Sequence, residues 1–130
     1  MATTKTRYVD GFVLVVPKDK VATYRKMAKE ANELWMKHGA LAYRECVGDD
    51  LDPDMQGMTF LPFPKMTKLK PGETVWFSYI EYRSKAHRNS VNKKVMKEVD
   101  ELYADKKEAM LMPFDMKRMA YGGFKVAVSS

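Results

Sequence analysis

Two stretches of this 130-residue chain are apolar at both alternating positions, and no other feature restricts its possible folds so much. Side chains along a strand point alternately to opposite faces. In "YVDGFVLVV" (8–16) Val9, Val13 and Val15 share one face, and Phe12, Leu14 and Val16 the other. In "ETVWFSYIEY" (73–82) Val75, Phe77 and Tyr79 oppose Trp76 and Ile80. A sheet wet on one side alternates apolar with polar residues, and these strands do not. Both faces of the sheet therefore need a cover.

The remaining elements say what one cover is. Pro17 ends the first strand, and apolar residues at Val21, Tyr24, Ala28, Ala31 and Trp35 recur by three and four, so a helix is predicted over 18–38. Gly39 suits its C-terminal stop. A second strand is predicted at 41–48 and a third at 73–82. Ser84 then caps a second helix whose Val91, Val95, Val99 and Leu102 face inward. The acids and lysines there blur that stripe and predict a break or bend somewhere between 97 and 108. The last strand is expected at 117–128, with Lys117 and Arg118 at its start. The order β-α-β-β-α-β implies α+β architecture: a four-stranded antiparallel sheet, strand order 4-1-3-2, with both helices on one face. Two helices cover one face; a second copy of the chain is the expected cover for the other, with the apolar stretch 49–72 folding over its own sheet as the competing one.

Residues 49–72 interrupt this pattern with 24 residues that include four prolines. Met55, Met58, Phe60, Leu61, Phe63 and Met66 make the stretch too apolar for a solvated linker, and loops of this length in compact domains are usually functional or disordered. A lid, or an arm that reaches a second subunit, is expected. Residues 1–7 are read as a flexible tail and 8–128 as one domain carrying this inserted loop.

Composition narrows the function classes. The longest apolar run, Phe12 to Val16, is far short of a membrane span, and "MATTKTR" lacks the apolar core of a secretion signal. A lone cysteine, Cys46, forms no internal disulfide and suits a reducing cytoplasm. The net charge of +6 comes from lysines interspersed with acids, the pattern of solvated helix faces, so nucleic acid is not expected as a partner. "DDLDPD" (49–54) imitates a calcium loop, but Met55 and Leu61 stand where its Gly and Glu belong, so no metal is expected.

"YVDGFV" (8–13), "EC" (45–46), "FSYIEYRSK" (77–85) and "MPFDMKRMAYGGF" (112–124) together resemble the YbaA-like family of small uncharacterised bacterial proteins. The resemblance spans about residues 7–126 and implies a ferredoxin-like fold in the dimeric α+β barrel superfamily, with no established activity. Haem-degrading members of that superfamily carry a Trp and a His in the second helical region and an Asn on the first strand. Residues 85–110 hold no Trp, their one His is His87, and the first strand has Asp10 in place of Asn, so haem is not expected and no cofactor is implied.

Asp10 lies in a strand interior, where a carboxylate needs a partner. Arg118, on the neighbouring last strand, is the expected one. Facing a pocket, the pair would orient a small organic ligand, with Trp76, Tyr79 and Tyr121 on its apolar side. For a cofactor-independent enzyme of monooxygenase or isomerase type, Asp10 or His38 is the candidate base and Arg118 its electrostatic clamp. An anion- or RNA-associated protein using the surplus lysines is the third reading. Glu45 and Glu81 read as exposed cross-strand charges, Cys46 as a small buried residue, His38 as a helix-end group and His87 as exposed. Gly122 and Gly123 inside a strand mark a bulge or a close approach by another group.

Overall fold

Strand β1 (Tyr8–Pro17) runs at the centre of the sheet, between β3 (Glu73–Tyr82) and β4 (Ala120–Lys125), with β2 (Ala42–Val47) at the far edge. All three pairings are antiparallel, so the expected order 4-1-3-2 holds. A computed structural model describes residues 7–104 and 112–130. Residues 1–6 of the expected tail lie outside the described residues.

Helix α1 (Val21–Lys37) follows a 3-10 turn at Lys18–Lys20. It stops because Gly39, at φ 108°, takes a left-handed conformation that a side chain would strain. The loop carries one turn-and-a-half of helix, α2 (Phe63–Thr67), introduced by Pro62. Helix α3 (Lys85–Leu102) starts where Ser84 accepts a hydrogen bond from the His87 amide. It runs unbroken to Leu102 and ends there with Tyr103 as its C-cap, so a break does fall inside the expected window of 97–108. The rest of that expectation falls partly on 105–111, outside the described residues.

Both long helices pack on the same face. Tyr8, Ile80 and Tyr82 join Val91 and Val95 of α3 in one half of the core. Leu14, Val16 and Trp76 join Tyr24 and Ala28 of α1 in the other. The opposite face, with Val9, Val13, Phe77, Tyr79 and Phe124, has neither long helix over it; only Leu51 and Phe63 of the 49–72 loop reach it, beside Val75 and Phe77. Phe77 is 45% exposed there and Phe124 62%. Cys46 is exposed on this face rather than buried, because its strand is the edge and its face is the open one.

The last strand starts later than expected. Met116–Arg118 form a 3-10 turn, held by the Asp115 carboxylate on the Lys117 amide, so Lys117 and Arg118 precede the strand instead of opening it. Pairing of β1 with β4 runs without a skipped residue from Tyr8↔Lys125 to Val13↔Ala120, so the glycines make no bulge. Gly123 answers a close approach instead: a Cβ there would fall 2.2 Å from the Tyr8 hydroxyl and 2.7 Å from its ring.

Candidate functional site

A polar cluster sits in the helix-covered layer, beneath β1 and β4. Asp10 is 1% exposed, since its side chain shares the inward face with Tyr8 and Phe12. Its partner is Arg88 of α3, whose Nη1 donates to Oδ1 at 3.2 Å. The same nitrogen donates to the Tyr121 hydroxyl at 2.8 Å, Nη2 reaches the Tyr8 hydroxyl at 3.4 Å, and the guanidinium lies 5.1 Å from the Tyr8 ring centroid. Arg88 Nε is buried and has no hydrogen-bond partner among the described residues. Behind it, the Asn92 carbonyl accepts from Trp35 Nε1 at 3.1 Å and from the Tyr82 hydroxyl at 3.3 Å.

Burial dominates the acid–base balance here. It raises the Asp10 pKa above its ordinary value, against the opposing pull of Arg88 and, more weakly, of the neighbouring polar groups of Tyr121, Tyr82 and Asn92. For Arg88 burial alone would loosen the proton, but Asp10, Tyr121 and Tyr8 outweigh it and the pKa rises. The Tyr121 and Tyr82 hydroxyls are also pushed up, first by burial and then by Asp10. The cluster thus holds one carboxylate, one fixed cation and two phenols kept protonated, Tyr82 and Tyr121, with half-exposed Tyr121 at its margin, stacked on Phe12 at 4.7 Å.

Arg118 is not in this cluster. It makes a two-pronged pair with Glu73, Nη1 to Oε2 at 2.6 Å and Nη2 to Oε1 at 3.0 Å. Nη2 also donates to the carbonyls of Thr67 and Lys68, at 3.2 and 3.0 Å, so it seals the end of α2 against the start of β3. The expected Asp10–Arg118 pair fails because Arg118 sits on the turn before β4, two residues short of the strand. The Arg118 hydrogen bond, with a second from the Lys70 amide, lowers the Glu73 carboxyl from its ordinary 4.5 to about 2. A depressed carboxyl contributes stability that is complete above 4.5 and is lost as pH falls toward about 2. Glu73→Gln should flatten that part of a urea-unfolding pH profile and leave the neutral-to-alkaline part unchanged.

The other expected residues separate. Trp76 is buried on the helix face, edge-on to Tyr24 at 4.9 Å, with Nε1 donating to Thr74 Oγ1. Tyr79 points to the open face, beside Phe77. Trp76, Tyr79 and Arg118 therefore do not line one cavity with Asp10 and Tyr121. His38, at the end of α1, meets the Glu98 carboxylate of α3 at 2.8 Å, a carboxylate shared with Lys37, and has no bond to Asp10. Glu45 and Glu81 lie on opposite faces, so they form no carboxylate pair. Glu81 takes Arg7, whereas half-buried Glu45 accepts the hydroxyls of Tyr24 and Tyr43, at 2.7 and 2.6 Å. His87 is half-buried, since Nδ1 accepts the Arg83 amide and the ring meets Tyr82 edge-on; burial lowers its pKa. Among the described residues no three His, Cys, Asp or Glu side chains gather closely enough to hold a metal ion, and no helix is long and apolar enough to cross a membrane.

Arg88 was missed, although the sequence carried a signal. Counting back from Val95 and Val91 by four and three lands on Arg88, so a cation stands on the inward stripe of α3. A charge at such a position requires a buried acid, and Asp10 is that acid.

Comparison with known proteins places the chain. Residues 7–116 match a family described as a protein of unknown function, DUF1428. The chain belongs to the DUF1428 family. A DUF1428 relative is the uncharacterised protein YbaA of Escherichia coli K12, 43% identical over 119 residues, which cover 92% of this chain and 95% of that protein. An uncharacterised protein YbaA of Shigella flexneri matches with the same identity and coverage. Among solved structures, a dimeric ferredoxin-like protein from an uncultured marine organism superposes with a TM-score of 0.56 at 8% identity, over 96% of this chain and 99% of that one. A protein of unknown function from Nitrosomonas europaea gives 0.52 at 11% identity, over 98% and 96%. At such identities the likeness speaks to fold alone, and the DUF1428 chain is ferredoxin-like, α+β, as its resemblance implied.

Proposed function

We propose that the chain works as a homodimer, closed open face to open face, which binds a small organic ligand at the Arg88 cluster. The ligand site rests on one observation: a buried guanidinium whose Nε–H has no partner and whose bond to Asp10 is long at 3.2 Å. Buried donors are nearly always satisfied, so a donor left over beside half-exposed Tyr121 marks where a ligand's acceptor atom fits. In this reading Asp10 has the orienting role expected of it, Tyr121 lines the ligand's side as expected, and Arg88 takes the place given to Arg118. The dimer is supported by the open face and by the dimeric description of the marine neighbour. Exposed apolar side chains such as Phe77 and Phe124 on one sheet face are the kind of surface that marks an interaction site.

Native mass spectrometry of freshly purified protein tests both parts. A dimer carrying an extra small mass, lost in Arg88→Gln while the dimer persists, is the expected result. A stable monomer at micromolar concentration removes the dimer, and an unaltered extra mass in Arg88→Gln removes the site. Phe77→Arg should raise the dimer dissociation constant ~30-fold or more, the weight of a buried anchor worth about 2 kcal/mol.

A second reading, a cofactor-independent enzyme, draws on the raised Asp10 pKa beside protonated phenols, the environment of a general base. It requires turnover that Asp10→Asn abolishes at unchanged ligand affinity. The RNA-associated reading is less well supplied: the lysines it would use alternate with acids along α1 and α3, the pattern of solvated helix faces.

A further inference from the structure

The hydrogen bonds of Arg88 fall unevenly on its guanidinium. Nη1 carries the two shorter ones, to Asp10 at 3.2 Å and to the Tyr121 hydroxyl at 2.8 Å. Nε has no partner among the described residues, and Nη2 has the Tyr8 hydroxyl at 3.4 Å. Nε–H and one Nη2–H lie side by side along one edge of the planar fork. Such an edge takes two acceptor atoms held in one plane.

The rest of the cluster says what group those atoms belong to. The Tyr82 and Tyr121 hydroxyls keep their protons, and the one carboxylate, Asp10, already accepts from Arg88. A ligand must therefore bring acceptors. A primary amide brings one acceptor and sets its N–H2 against the second N–H of the edge. A phosphonate brings as many as two negative charges to a cation that Asp10 already balances. A carboxylate brings two coplanar acceptors and a single charge. Beside it, the stacked rings of Phe12 and half-exposed Tyr121 offer an apolar flank.

Charge then has to be settled. Asp10 is 1% exposed, and a carboxylate entering beside the balanced pair leaves one negative charge uncompensated where water is scarce. A proton on Asp10 removes it, and burial already disfavours the charged form of that group. Asp10 is faced by Arg88 and Asn92 of α3, Tyr82 of β3 and Tyr121 of β4, which include no second acid to take the proton instead.

We infer that the ligand of the Arg88 cluster is a small monocarboxylic acid with an apolar body, seated on the Nε–Nη2 edge and taken up together with one proton, which Asp10 holds. This rests on the ligand-site reading above. Carboxylate and proton enter as a net neutral load, and alkaline pH releases both.

The test titrates benzoate, hexanoate, benzamide and methylphosphonate into the wild-type protein by isothermal calorimetry, from about pH 6 to 8 and in two buffers of different ionisation enthalpy. At least one of the two acids should bind, with a dissociation constant that rises ~tenfold per pH unit and a buffer dependence equal to one proton taken up. Benzamide and methylphosphonate should bind ~10-fold more weakly or worse. Arg88→Lys keeps the charge without the fork and should lose the acid, whereas Asp10→Asn should hold it with no pH slope. Failure of both acids to bind, binding without proton uptake, benzamide bound as tightly, or an acid that Arg88→Lys holds equally overturns the carboxylic acid. In each of those cases the ligand site still stands if Arg88→Gln loses the retained mass, and falls separately if it does not.

Discussion

Arg88→Met should destabilise the fold by about 3–5 kcal/mol at neutral pH, the cost of stranding one member of a buried ion pair. The loss is not that of the 3.2 Å hydrogen bond; it is Asp10 that is left charged where water does not reach. The pH dependence separates these accounts. Asp10 already titrates above its ordinary 3.8 because burial disfavours its charge, and Arg88 is the first influence that opposes this. Between 3.8 and the raised folded value the unfolded chain has released its proton and the folded one has not, so stability falls as pH rises. Without Arg88 that falling stretch extends to higher pH. Chemical denaturation across acidic to neutral pH should therefore show Arg88→Met close to wild type in acid and progressively worse above it. Adding Asp10→Leu should restore most of the loss. A uniform loss of under about 1 kcal/mol at every pH would mean the pair is effectively solvated.

Gly123→Val should cost about 1–3 kcal/mol or more, the scale of overpacking a filled core. The obstruction is the Tyr8 side chain, which a Cβ would overlap along both hydroxyl and ring. Tyr8 has little room to yield: it is buried against Ile80, Tyr82 and Val91, and Arg88 lies over its ring. Gly122 is the internal control. Its nearest neighbour is the exposed Phe124 ring, 3.6 Å from a Cβ, so Gly122→Ala should be tolerated within ~0.5 kcal/mol. Pairing Gly123→Val with Tyr8→Ala should give a combined loss smaller than the sum, read from thermal unfolding of all four proteins. Strict additivity would place the clash elsewhere.

Much of this architecture was legible before any coordinates. The third strand occupies the very span read for it, Glu73–Tyr82, because seven of its ten residues are β-branched or aromatic and Gly72 and the Ser84 cap bound the run. The strand order followed from the succession of elements, and the uncovered face followed from apolar residues at both parities. The site was harder. Asp10 could be recognised as an acid in an unfriendly place, but its partner could not be chosen from strand adjacency, since α3 lies across β1 and supplies Arg88 from 78 positions away. Arg118 looked like a strand residue because "KRMAYGGF" is continuous in composition. A carboxylate–amide bond from Asp115 bends it into a turn instead. Cys46 and Glu45 exchanged their expected environments for a related reason: parity says they oppose each other, but not which side receives the helices. The glycine pair announced a close approach without saying that the visitor was the chain's own tyrosine.

The strand lengths have a consequence for assembly. Both outermost strands, β2 and β4, are six residues long, against ten for each of the two inner ones. The rims carry Arg44, Lys125 and two adjacent glycines, features that resist lateral ladder growth. Fibril-like addition of strand to strand is thereby discouraged on either side, which leaves stacking rather than zippering as the geometry open to the proposed dimer.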